Sequence, residues 1–263
     1  MIWPVEEIKQ AVEINLKGFQ IEVLPTVNST NDELMRRAKS GREESILLLA
    51  IEQTAGKGRR GKVWHSKQGQ SLTFSLGLHL APVHWSGLSL VVGLAILKAL
   101  DPLGNLAISL KWPNDLWVGP PSAAKKLGGI LIESNVMNRA VQDETRYCVI
   151  GIGINIVAPQ GIDLKRPGVG IKDLDPNTDA QKALLKIVPN VINYVQRFCR
   201  SGFFDFVEEY NSFDILRGEL VLMSNGVSGR AQGVNQSGEL VIFTDKGLVN
   251  VASDEVSLLG FEG

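Results

Sequence analysis

Residues 71–80 read SLTFSLGLHL, and the strict alternation in this stretch limits the fold more than any other feature of the chain. Leu72, Phe74, Leu76, Leu78 and Leu80 fall on one side of an extended segment and small or polar residues on the other, which predicts a strand with one face on a core. The run SILLLAI at 45–51 is continuously apolar and of strand length, so it predicts a buried neighbour. Further strands are expected over 21–27, 107–112, 127–133 and 147–156, and helices over 5–17, 86–100 and 180–200. Thr30-Asn31-Asp32-Glu33 has the form of a capping box opening a helix through Ala38. Ser86 is a candidate cap for the helix that ends before Asp101-Pro102, and Pro189 should kink or split the last one. Phe203 to Phe213 reads as further helical turns. After Asp214 the texture changes to short β runs (GELVLM, ELVIFT, GLVNVA) separated by Asn-Gly, Ser-Gly and Lys-Gly turns. The expected organisation is a large domain over 1–213 and a small all-β domain over 214–263.

Charge narrows the function classes. Lys plus Arg number 27 and Asp plus Glu 28, a net charge of −1, which argues against the basic excess of a dedicated nucleic-acid or membrane-surface protein. Any basic chemistry must be local. Cys148 and Cys199 suit free thiols in a reducing compartment, not a disulfide framework or zinc site, and His65, His79 and His84 show no metal spacing. The start MIWPVEEIKQ has acids where an export signal needs a basic and then an apolar run. No apolar stretch reaches the ~20 residues that span a bilayer. A cytoplasmic protein without membrane contact is expected.

Four short elements concentrate polar chemistry beside these strands. Between the strands at 45 and 71 lies Gln53-Thr54-Ala55-Gly56-Lys57-Gly58-Arg59-Arg60-Gly61-Lys62-Val63-Trp64; from Gln53 to Lys67 there are five basic residues and no acid. Glycines let backbone N–H groups approach a ligand, lysine and arginine neutralise phosphate oxygens, and a tryptophan offers a stacking face. The string also matches G-x-G-x-x-G and a kinase-type glycine loop, but a strand follows where the dinucleotide motif needs a helix, and no H-R-D or D-F-G lies downstream. A basic hairpin binding nucleic acid is a further alternative. Lys111-Trp112-Pro113-Asn114-Asp115 packs a cation, an amide and a carboxylate at a strand end, although Pro-Asn-Asp is also ordinary turn chemistry. Lys125-Lys126-Leu127-Gly128-Gly129-Ile130 and Val149-Ile150-Gly151-Ile152-Gly153-Ile154-Asn155 put glycine pairs inside strands, where another body lying flat on the backbone, or a β-bulge, would explain them.

With Ser29-Thr30-Asn31, these elements resemble the biotin–protein ligase family, also called biotin–[acetyl-CoA-carboxylase] ligase, over roughly 24–263 and in the family's order. KWPND followed by KLGGIL and GIGIN is far more specific than any single glycine motif. The resemblance implies an α+β fold, a mixed sheet flanked by helices as in class II aminoacyl-tRNA synthetase cores, with a small C-terminal SH3-like barrel. It implies that biotin's carboxylate attacks the α-phosphate of ATP, with Mg2+, to give biotinyl-5′-AMP and pyrophosphate, and that a lysine of the biotin carboxyl carrier protein of acetyl-CoA carboxylase then takes the biotin. The carried-over catalytic residues are Lys126, Arg59, Lys111 and Asp115, with Asp115 also a Mg2+–phosphate ligand. Ser29, Thr30, Asn31, Gln53, Gly56, Lys57, Gly58, Arg59, Lys126, Gly129 and Gly151 would surround biotin. Arg59, Arg60, Trp64, Lys111, Asn114, Asp115, Gly153 and Asn155 would bind ATP and the adenylate. The family usually has arginine where Lys57 stands, so the positive charge remains but the two-pronged donor set of a guanidinium does not. Only 28 residues precede Ser29, fewer than a three-helix DNA reader needs; a ligase that does not bind DNA is expected, with homodimerisation left open.

Overall fold

The computed structural model of the chain describes residues 2–135, 145–159 and 167–259. Its larger part is built on a seven-stranded sheet of β1 (Gln20–Val27), β2 (Ile46–Gln53), β3 (Ser71–Leu80), β4 (Ile108–Lys111), β5 (Asp115–Val118), β6 (Lys125–Asn135) and β7 (Arg146–Asn155), in the order β1-β2-β3-β7-β6-β5-β4. β1 and β2 run parallel and every other pair antiparallel.

Each face of this sheet is covered by helices. α1 (Val5–Glu13) buries Ile8 and Val12 and packs on a long helix near the C-terminal end of this part. α2 (Thr30–Lys39) sets Leu34 and Ala38 against Ile46, Leu48, Tyr147 and Val149 on the opposite face. α3 (Leu88–Leu100) is buried nearly all round because it lies between the sheet and a second helical layer. After the short α4 (Ile171–Leu174) comes that layer, α5 (Ala180–Ser201), followed by α6 (Val207–Phe213).

Three local expectations change. α5 runs unbroken through Pro189. A mid-helix proline costs about 3 kcal/mol, but Ile187, Val188, Val191 and Ile192 around it are buried, each contributing about 1.5–3 kcal/mol, and Asn190 Nδ2 donates to the Ala95 carbonyl of α3 at 2.7 Å. Ser86 does not cap α3; Gly87 occupies that position at φ 88°, and Ser86 Oγ donates instead to the Ser237 carbonyl. The cap of α2 is Ser29, whose Oγ accepts from Asp32 N at 3.4 Å, which leaves the Thr30 side chain for another partner.

The C-terminal part forms a separate five-stranded antiparallel sheet of β8 (Leu220–Met223), β9 (Ser228–Val234), β10 (Leu240–Thr244), β11 (Gly247–Val251) and β12 (Val256–Leu258), in the order β11-β10-β9-β8-β12. Residues 260–263 of the expected small domain lie outside the described residues. Its attachment is buried. Leu110 of β4 bridges Asp214 and accepts from Ile215 N at 2.9 Å, Trp112 Nε1 donates to the Gly238 carbonyl at 3.1 Å, and Lys111 Nζ donates to the Val256 carbonyl at 2.7 Å. Among the described residues no helix is long and apolar enough to cross a membrane.

Candidate active site

The pairing register of four strands lays out the floor of a cavity. Ser75 of β3 stands opposite Gly151 of β7, which stands opposite Leu131 of β6; one pleat along, Thr73, Gly153, Gly129 and Asp115 form a second row across β3, β7, β6 and β5. The polar face of β3 is therefore not a solvated surface. Thr73 and Ser75 are buried, and the face is shared between α2 and the cavity, which has a volume of about 600 Å3. Every site residue named from the sequence lines it except Gly56. Gly56 supports the loop from behind: its carbonyl accepts from Trp64 N at 2.9 Å, and a Cβ there would overlap the Trp64 carbonyl.

The three floor glycines are explained by what lies on them. A Cβ at Gly151 would overlap Asn31, one at Gly153 would overlap the Trp64 indole, and one at Gly129 would sit 3.2 Å from Asp115 Oδ1 and 3.4 Å from Lys126 Nζ. The bare backbone lets an amide, an aromatic ring and an ion pair rest directly on the sheet, as close approach in a strand interior requires.

At the inner end the polar side chains form a buried network. Gln53 Oε1 accepts from Thr30 N at 2.7 Å and from Thr30 Oγ1 at 3.1 Å. Ser75 Oγ lies 2.6 Å from both Thr30 Oγ1 and Asn31 Oδ1, and Asn31 Nδ2 donates to Glu133 Oε2 at 2.8 Å and to the Leu131 carbonyl at 3.2 Å. Such a network fixes each amide and hydroxyl in one orientation, since an unpaired buried partner is costly.

The outer end is cationic. Lys126 Nζ pairs with Asp115 Oδ1 at 2.8 Å and lies 5.9 Å from the Trp64 ring centroid. KWPND is the turn joining β4 to β5, as the turn reading has it, and its polar side chains line the cavity: Asn114 Nδ2 donates to the Ile130 carbonyl at 2.8 Å, and Asp115 begins β5. Asn155 Nδ2 donates to the Lys126 carbonyl at 3.2 Å. The Lys111 ammonium lines the cavity, but the Val256 carbonyl holds it and the Trp117 ring lies 5.1 Å away, so it also ties the two sheets together.

The basic loop is folded over this end. Lys57 and Val63 form an antiparallel bridge around a tight turn at Arg59–Gly61, in which Arg60 is left-handed at φ 53°. Lys57 Nζ pairs with Asp32 at 2.7 Å on the α2 side. On the other side Arg59 Nη2 donates to Ser253 Oγ at 3.0 Å, Arg60 Nη2 to Asp254 Oδ1 at 3.0 Å, and Lys62 Nζ pairs with Glu255 at 2.7 Å. Burial pulls the Arg59 guanidinium below its usual range. The Ser224 hydroxyl, with backbone N–H groups and Arg60 adding to it, holds the Asp254 carboxyl at about 2.

Sequence reasoning missed the contribution of the second sheet. Residues 254–258 line the cavity, and the one hint was that a loop with five cations and no acid needs acids from elsewhere. Thr73 and Asp32 were also passed over, the first as the outer face of an alternating strand and the second as a helix-cap residue.

Residues 23–155 match the Biotin/lipoate A/B protein ligase family. The chain is 30% identical over 264 residues to the bifunctional ligase/repressor BirA of Escherichia coli, covering 94% of this chain and 76% of that protein. It is 28% identical to the biotin–[acetyl-CoA-carboxylase] ligase of Mycobacterium tuberculosis, covering 90% and 88% of the two chains. The structure of the Aquifex aeolicus biotin protein ligase in complex with biotin and ATP superposes with a TM-score of 0.73 at 28% identity, over 91% of this chain and 98% of that one. This chain belongs to the biotin/lipoate A/B protein ligase family.

Proposed function

We infer that the protein is an ATP-dependent biotin–protein ligase that modifies a lysine of the biotin carboxyl carrier protein of acetyl-CoA carboxylase. The observation that carries this reading is one cavity with two unlike ends: Thr30, Asn31 and Gln53, backed by buried Ser75, at one, and Lys126, Asp115 and Arg59 at the other, with the Trp64 ring 5.9 Å from Lys126 Nζ. A ureido ring both donates and accepts, so it suits the inner end. The dithiolane of a lipoyl group carries no N–H or C=O to exchange hydrogen bonds with this network, and a site lined by polar groups discriminates against a ligand that lacks them.

In the first step the carboxylate oxygen of biotin forms a bond to the α-phosphorus of ATP and pyrophosphate leaves. Lys126 sits where it can neutralise both the carboxylate and the α-phosphate, and Arg59 closes over the same oxygens from the loop; positive groups fixed where negative charge builds up are the main source of acceleration in such a step. Trp64 on Gly153 keeps water from the mixed anhydride. In the second step the carrier lysine attacks the acyl carbon, the amide forms and AMP leaves. Asp115, next to Lys126, is placed to orient its ammonium. For magnesium, no group of three or more His, Cys, Asp or Glu converges among the described residues. Asp115 would help hold such an ion at the phosphates, since the described residues offer no protein-built cage for it. When bound, that ion would neutralise triphosphate charge.

The test is to mix the protein with biotin, Mg-ATP and a carrier domain, then measure AMP, pyrophosphate and the mass of the carrier. One biotin added at one lysine, dependent on all three components, is expected. Carrier mass unchanged with no pyrophosphate released would overturn the reading.

A further inference from the structure

The turn that carries Arg59 is held by side-chain contacts from the C-terminal part as well as by backbone bonds within the loop. Arg60 is a residue with a Cβ in the left-handed region, which persists only where surrounding contacts enforce it. Inside the loop the turn has two backbone bonds, Gly58 N to the Lys62 carbonyl at 2.7 Å and Lys62 N to the Arg59 carbonyl at 3.1 Å. The contacts that fix the Arg60 side chain come from far along the chain: Asp254 Oδ1 at 3.0 Å and Ser224 Oγ at 3.2 Å. Asp254 is itself built in. It is 5% exposed, accepts from the Ser224 hydroxyl, from Glu255 N at 2.7 Å and from Asn225 N at 3.4 Å, and so cannot follow the loop if the loop moves. A buried carboxylate held on three sides makes a stiffer anchor than an exposed ion pair, in which both partners must first be ordered. Lys62–Glu255 is such an exposed pair, with side chains 64% and 40% accessible, and serves as a secondary contact.

We propose that Asp254 is a positioning residue for the ligase reaction: through Arg60 it keeps the Arg59–Gly61 turn folded over the cavity before any ligand arrives, so that the C-terminal sheet presets the adenylate-retaining loop. This rests on the ligase reading for its effect on adenylate, but its effect on the loop can be measured without that reading.

The experiment uses the full chain carrying Asp254→Asn, Asp254→Glu or Ser224→Ala, and two readouts. The first is the rate of tryptic cleavage at 59–62 in ligand-free protein, with the melting temperature as a control for global folding. The second is the fraction of biotinyl-5′-AMP that escapes into solution compared with the fraction transferred to the carrier. Loop cleavage should speed up about tenfold in Asp254→Asn and less in Asp254→Glu, with the melting temperature held and protection regained when biotin and ATP are saturating. The escaping fraction should rise in the same order, and KM for ATP should rise more than kcat falls. If Asp254→Asn fails to fold, Ser224→Ala, which removes one side-chain donor from Asp254 and one acceptor from Arg60, must shift both readouts in the same direction. Wild-type cleavage rates and wild-type adenylate retention in the folded variants would overturn the proposal. A wild-type protein that makes no adenylate while the cleavage difference persists would overturn the ligase reading and leave the clasp standing.

Discussion

The two ends of the cavity are held by opposite kinds of force. The inner end is a set of buried hydrogen bonds among Thr30, Gln53, Ser75 and Asn31, spanning α2, β2 and β3, with Asn31 also tied to Leu131 and Glu133 of β6. The outer end consists of half-exposed cations paired with acids from three different elements: Asp32, Asp115 and Asp254. Buried neutral bonds define shape and are insensitive to salt; exposed charges are screened and adaptable. The difference amounts to a division of labour. In the proposed reaction the hydrogen-bonded end takes the small neutral ring, and the cationic end, which takes the nucleotide, is clasped by ion pairs that can be exchanged.

The largest effect that would break this comparison lies at the outer end. Lys126→Ala should lower kcat for pyrophosphate release by about 10²–10³-fold with an unchanged melting temperature; near-normal turnover would remove the cationic end from the mechanism. Next comes the inner end. Gln53→Ala leaves Thr30 N and Oγ1 without their acceptor, a loss of about 1–3 kcal/mol, so KM for biotin should rise about 10–100-fold while KM for ATP stays put. An equal rise in both would blur the division.

A third prediction concerns the seam between the sheets. Asp214 is buried beside β4, with Oδ1 accepting from Leu216 N at 3.0 Å, and desolvation raises its carboxyl to about 7. An acid whose folded value lies above its unfolded one stabilises the fold fully below about pH 4 and loses that contribution as pH rises through about 7. Asp214→Asn keeps the Oδ1 acceptor and stays neutral, so denaturant midpoints should show it gaining on the wild type between about pH 4 and about pH 7; a constant difference across that range would contradict the assignment. The smallest effect is expected at Lys57. Its pair with Asp32 is exposed, and such pairs contribute little, so Lys57→Ala should change biotin affinity by no more than a few-fold and lose even that difference at high salt.

The parts of this arrangement that local pattern encodes were legible in the sequence. The alternation over 71–80 located β3 with its bounds, the in-strand glycines announced close approach, and the cation-rich loop marked a wall of the cavity. What was not legible depended on partners distant in the chain. Arg60 and Asp254 are 194 positions apart, and no period or spacing connects them. The alternation of β3 correctly separated two faces, yet alternation alone does not say that α2 and the cavity share the small polar one. Ser86 looked like a cap because Ser caps helices, but the Ser237 carbonyl in the second sheet competed for its hydroxyl. Pro189 looked like a break because helix rules are local, and the burial of its neighbours is not.

The most direct measurement is a crystal structure with a non-hydrolysable biotinyl-5′-AMP analogue. The bicyclic ring should lie at the inner end against Thr30, Asn31 and Gln53, the phosphate should lie against Lys126 and Arg59, and Trp64 should remain on Gly153. An analogue bound with its ring at the loop end, or outside this cavity with the 57–62 segment turned away, would contradict the account.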